Sequence, residues 1–177
     1  MTQNNPAFAR QPEPWLRGTL AEIPVVPRAV LHALQLAMED IHSWCERLSE
    51  EELHARVQGL PSVAFQIRHI GRSIDRLLTY AEGQVLNAEQ MANLKSEADS
   101  SAEKATLFKE LDSALEAAME RVKVQARADL EQARYVGKKK LPTTLGGLLV
   151  HVADHTQRHV GQAITTTKLV LAQRESR

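Results

Sequence analysis

The 177-residue sequence contains a single cysteine, Cys45, so no disulfide can close within the chain and a cytoplasmic home is the default expectation. It has no surplus of charge, because 22 basic residues balance 22 acidic ones. Nucleic-acid binders usually carry a basic excess, so nucleic acid is not an expected partner. No uninterrupted apolar run is long enough to span a bilayer, which argues against a membrane-spanning class. The opening stretch MTQNNPAFARQPEP lacks the apolar segment of a secretory signal and reads as a disordered lead-in. Glycine and proline sit mostly outside the periodic stretches, and helix formers fill the rest. The expectation is an all-α fold.

Residues 1–26 read as an extended N-terminal arm and residues 27–174 as one domain, long enough to bury a core without staples. The arm's WLRGTLAEIPVVP is broken by Gly18, Pro24 and Pro27, and Trp15, Leu16 and Ile23 are expected to cover one end of the fold or to lie over the site as a lid. Leu31, Leu34, Met38, Ile41, Cys45 and Leu48 then recur at helical steps, predicting a helix over roughly 27–48. Cys45 on that stripe reads as a core residue, not a nucleophile. Ser49 with Glu52 resembles a capping box. A second long helix starts near Ser62, buries Val63, Ile67, Ile70, Ile74, Leu77, Leu78 and Ala81, and ends at Glu82–Gly83.

Asn87 caps a brief helix, AEQMANLKS, and Ser100 with Glu103 suggests another capping box before a third long helix marked by Leu107, Leu111, Leu115 and Val122. YVGKKKLP reads as a solvated loop with three lysines. The last helix begins at Thr143 or Thr144 and runs to about Ala172, with Gly146 and Gly147 near its start allowing close packing. Four long helices joined by short ones predict a four-helix bundle.

The last helix also carries LLVHVADHTQRHVGQ, with His151, His155 and His159 one turn apart. Residues four apart on a helix differ by about 40° in direction and about 6 Å in height. Two such imidazoles can reach one metal ion, and a third ligand must come from another helix. His69, on the second long helix, is the candidate, although it lies roughly 100° from the centre of that helix's apolar stripe. Three histidines at successive turns are hard to read as packing residues, because each needs a polar partner if buried. The residue after His155 is Thr156, where an HExxH protease has its glutamate, so a zinc protease is excluded. Asp154 and Asp75 point about 100° and 120° away from His155 and His69, so neither offers a carboxylate base on a ligand face. Arg72 and Arg76 follow His69 on nearly the same face and are candidates to receive an anion.

Two segments, GLPSVAFQIRHIGRSIDRLLTYAEG and GGLLVHVADHTQRHVGQAITT, resemble the DinB-like family of four-helix metalloproteins. That family has one histidine on the second long helix and two more, four apart, on the last, the second shortly before a Gly-Gln pair. The matching positions are His69, His155, His159 and Gly161–Gln162, and the resemblance covers nearly all the chain after about residue 28. Where many relatives have two adjacent histidines and an arginine, this chain has Arg158–His159–Val160. The resemblance implies a divalent transition metal (zinc, nickel or iron) on His69, His155 and His159. His151 then serves as a hydrogen-bonding partner behind the ligands or as an alternative ligand. Known relatives include transferases and isomerases that use low-molecular-weight thiols, which implies a small-molecule substrate, a thiol among the options, and a homodimer. The functional expectation is a metal-dependent transferase or hydrolase. The alternative is a stress-associated metal-binding protein without catalysis, or a helical interaction module.

Overall fold

A computed structural model describes residues 11–98 and 102–175. A 3-10 turn at Pro14–Leu16 precedes helices α1 (Val25–Cys45), α2 (Glu50–His54), α3 (Val63–Ala81), α4 (Ala88–Lys95) and α5 (Lys104–Val124). Strands β1 (Ala133–Val136) and β2 (Leu141–Thr144) follow, and α6 (Leu145–Glu175) completes the order. The chain is mostly helical. Among the described residues, no helix is long and apolar enough to cross a membrane.

The long helices pack in a ring, α1 and α3 each lying against both α5 and α6. The core is where the sequence stripes placed it. Leu31, Leu34 and Ile41 from α1 meet Ile67, Ile70, Ile74 and Leu78 from α3, Leu111 and Leu115 from α5, and Leu149 and Val152 from α6. Burying one such side chain contributes roughly 1.5–3 kcal/mol. Cys45 is fully buried among them, and burial pushes its thiol pKa up to about 11, so it carries no thiolate at neutral pH.

Local chemistry sets most of the boundaries. Ser49 and Glu52 form the reciprocal capping box at α2, Ser62 Oγ accepts from Phe65 N at the start of α3, and Asn87 pairs with Gln90 at α4. Each such cap stabilises its helix by about 1 kcal/mol. α1 starts and ends a few residues earlier than the stripe suggested, with Pro27 inside its first turn, where no backbone donor is needed. The expected Ser100 cap lies outside the described residues, and α5 is entered from Glu103 with no side-chain cap.

Two expectations need correction. The chain is not all-α, because YVGKKKLP is no open loop: Tyr135 faces Pro142 and Val136 faces Leu141 in an antiparallel hairpin. Gly137 and Lys140 take positive φ to close its turn. Strands of four residues are too short for alternation to show in the sequence. The arm also differs. Trp15 and Leu16 are 61% and 57% exposed, whereas Pro14 is buried and Leu20 and Ile23 rest on the core. The 3-10 turn packs on α1, and Arg17 grips Glu39 of that helix with two bonds of 2.7 Å.

The hairpin runs into α6 without a break. Leu145 N and Gly146 N donate to Gln132 O and Leu130 O at 2.9 and 2.8 Å, and Gly147 N donates to Thr144 Oγ1 at 3.0 Å. The first donors of the helix, which have no partner inside it, are thereby satisfied. Thr144 caps as expected. A Cβ on Gly146 would lie 3.2 Å from Leu130 Cβ and from its carbonyl oxygen, so the bare backbone permits the approach.

Candidate metal centre

Because α3 packs along α6, His69 on the first meets His155 and His159 on the second. Their ring centroids are 5.2 Å apart for His69 and His155, 4.3 Å for His69 and His159, and 4.5 Å for His155 and His159. Each offers one ligand atom, and the three atoms all lie within 4.8 Å of one another. All three residues are intermediate in burial, which for His69 agrees with its edge position on α3.

What lies behind each ring decides its tautomer. His69 Nδ1 is 2.7 Å from the Glu97 carboxylate, and His159 Nδ1 is 2.7 Å from Gln66 Oε1. Both partners only accept there, so both Nδ1 atoms carry hydrogen. His155 Nδ1 lies 3.4 Å from Ser73 Oγ, whose own hydrogen goes to Ile70 O at 3.1 Å, so the hydroxyl accepts there too. Three rings donating through Nδ1 keep their Nε2 lone pairs for something else. Phe65 stacks on His69 with the planes 13° apart and holds the ring from another side.

Charge reinforces this arrangement. Burial, then the neighbouring His159, His69, His151 and Arg158, push the pKa of His155 down to about 4. Burial, His69 and Arg158 lower that of His159 as well, against the opposing pull of Gln162 and Glu97. These two rings are neutral at physiological pH, the form that binds metals. Burial tends to raise the pKa of Glu97, but bonds from His69 and from Arg76 Nη1 outweigh it and hold the carboxylate below its usual range.

Glu97 is the residue the sequence does not reveal. It sits in the segment after α4, 28 positions from His69, where no sequence pattern distinguishes it from glutamates at the surface. Gln66 and Ser73 were legible in principle, lying three before and four after His69 on the same helical face. His151 remains outside the cluster: it is exposed, 5.4 Å from the His155 ring by centroids and 3.7 Å from Asp154. Asp154 pairs with Arg158, and Asp75 with Arg121 and Gln90, and neither belongs to the cluster of His69, His155 and His159.

Converging imidazole nitrogens with no thiolate or carboxylate among them suit a borderline divalent transition ion better than magnesium or calcium. The cluster can hold a metal ion. Neither a curated protein nor a solved structure matches the chain. A family model described as the DinB superfamily matches residues 33–163, a span that runs from α1 through both histidines of α6. With more than half of its length matched, and with the three histidines inside that span, the chain belongs to the DinB superfamily.

Proposed function

We propose that His69, His155 and His159 ligate a divalent transition metal (zinc, nickel or iron) through Nε2, on a four-helix-bundle scaffold. The protein then acts as a metal-dependent transferase or hydrolase on a small molecule, with a low-molecular-weight thiol as its co-substrate. The observation that carries this reading is the shared tautomer: each Nδ1–H is held from behind, which leaves Nε2 as the lone-pair nitrogen of rings whose ligand atoms lie within 4.8 Å of one another. Three protein ligands leave coordination positions open, as in reactive sites rather than structural ones. Such an ion supplies Lewis-acid chemistry that makes water or a thiol a better nucleophile near neutral pH. The chain's own residues orient the rings, keep His155 and His159 neutral and occupy the Nδ1 side of each ring. A cytoplasmic homodimer is part of the same reading.

One observation favours a second reading, metal binding without catalysis. The carboxylate nearest the cluster is Glu97, and both of its oxygens are engaged, one by His69 and the other by Arg76. It is therefore not poised as a free general base.

Elemental analysis of untagged protein tests the site: about one equivalent of metal is expected for the native chain and for His151→Ala, and none for His155→Ala. Retention of the metal by His155→Ala sinks the ligand assignment. Assays pairing thiols with electrophiles, with and without metal, separate the two readings. Metal-dependent turnover supports the enzyme, and rates unmoved by metal leave binding alone.

A further inference from the structure

We propose that the cleft between α3, α4 and α5 is a second binding site, apart from the histidine cluster, for a small oxyanion bearing a short apolar group. Arg68, Arg72 and Arg76 recur at four-residue intervals on α3 and line this cleft, so their side chains share one face. Arg72 gives only Nη1, which donates to Asn93 O at 2.8 Å and Ser96 Oγ at 3.0 Å, steadying the end of α4. Its Nε and Nη2 hydrogens take no acceptor among the described residues. Arg76, whose side chain is 11% exposed, donates Nη1 to Glu97 Oε1, and its Nε and Nη2 are likewise without an acceptor there. Guanidinium donors left over in this way, one turn apart, form the fork that recognises carboxylate and phosphate oxygens.

Glu97 offsets part of the charge of Arg76, and the other carboxylates nearby are engaged elsewhere or exposed. Asp75 is taken up by Arg121 at 2.8 Å and Gln90 at 2.7 Å, Glu97 is shared with His69, and Glu110 is exposed. Burial and the charge of Arg68 lower the pKa of Arg72 against the pull of Glu110 and Glu97, with Arg76 adding to the drop. An added negative charge relieves that repulsion.

The remaining wall is apolar, built from Ile67, Leu107, Leu111 and Ala114, and Gly71 keeps it open. A Cβ at Gly71 would come within 3.2 Å of Ala114 Cβ. The cavity holds about 170 Å³, below the several hundred typical of sites for drug-sized ligands, so the occupant is a short acid or a small phosphate rather than a nucleotide.

The full-length, metal-free protein is titrated with inorganic phosphate and, separately, with butyrate, following arginine Nε–H signals by NMR. Saturable shifts at Arg72 and Arg76 with either probe are expected, and the tighter probe identifies the head group. Arg72→Gln should weaken that probe about tenfold. His155→Ala should leave it unchanged, and Glu110→Gln should tighten it a few fold by removing a rim charge. Binding that survives Arg72→Gln but disappears in His155→Ala places the anion at the histidines and overturns the proposal, as does no saturable shift with either probe. If Arg72→Gln does not fold, Glu110→Gln decides: unchanged affinity overturns it.

Discussion

The Glu97 carboxylate lies 2.7 Å from His69 Nδ1 and is 6% exposed, so a buried anion stands directly behind one of the three converging rings. It fixes the ring's orientation and raises the basicity of the far nitrogen. Replacing it by glutamine keeps the shape and an acceptor oxygen but removes the charge. Glu97→Gln should bind metal about 10–100-fold more weakly, read by competition with a chromophoric chelator, while its helical circular dichroism is unchanged. Equal affinity in the two proteins would show that the carboxylate serves Arg76 alone.

Two histidines should tilt the stability curve of the metal-free protein in opposite directions. His155 has a folded pKa of about 4 against 6.5 for a free side chain, so the unfolded chain takes up its proton first as pH falls. Stability is therefore lost on acidification from about 6.5 toward 4, and His155→Ala should flatten that slope. His42 behaves in the other sense. Its Nδ1 lies 2.5 Å from Glu46 and its Nε2 2.7 Å from Asp112, an arrangement only the doubly protonated ring satisfies with both carboxylates ionised. Burial works to lower its pKa, but the bonds to Asp112 and Glu46 prevail and raise it. Its contribution is present below the unfolded pKa and fades as pH rises through the folded one. These side chains are partly exposed, so the effect is at most about 1 kcal/mol. Urea unfolding of the parent, His155→Ala and His42→Gln at mildly acidic and mildly alkaline pH checks both signs.

Glycines within helices give a cleaner contrast. Gly161 lies inside α6, and a Cβ built there meets nothing within 4 Å. Gly161→Ala should stabilise the protein by about 0.5–1 kcal/mol through reduced backbone entropy in the unfolded chain. Gly71→Ala should lose that gain, because its Cβ presses on Ala114 across the α3–α5 contact at 3.2 Å. Thermal unfolding of the pair measures the difference directly. A loss of stability in Gly161→Ala would mean that the backbone there needs glycine for a reason other than space.

The helices and the pair His155 and His159 were legible because both depend on short-range periodicity, whereas His69 was joined to them by the match to the DinB-like pattern. The stripe from Val63 to Leu78 and the column from His151 to His159 repeat every three or four residues, and that spacing alone assigns a face. The partner of His69 was not legible. Glu97 comes from a connecting segment whose placement depends on how α4 packs, and no local pattern encodes that. The hairpin escaped for a different reason: Pro142 is a poor strand former in a strand of only four residues, and pairing with Ala133–Val136 supplies the missing stability. Trp15 and Leu16 show the converse failure, since a large apolar side chain near a terminus need not be covered.

The seamless passage from β2 into α6 has a consequence for how the sequence can vary. Main-chain bonds from Leu145 and Gly146 clamp the helix at its origin, so its angular phase is set there and propagates as a rigid screw to His155. An extra residue in the turn between Gly137 and Lys140 is upstream of the clamp and leaves that phase alone. One extra residue between Leu145 and His155 would swing both downstream imidazoles by about 100°, out of the neighbourhood of His69. Length is thus free to drift on one side of a single peptide boundary and frozen on the other.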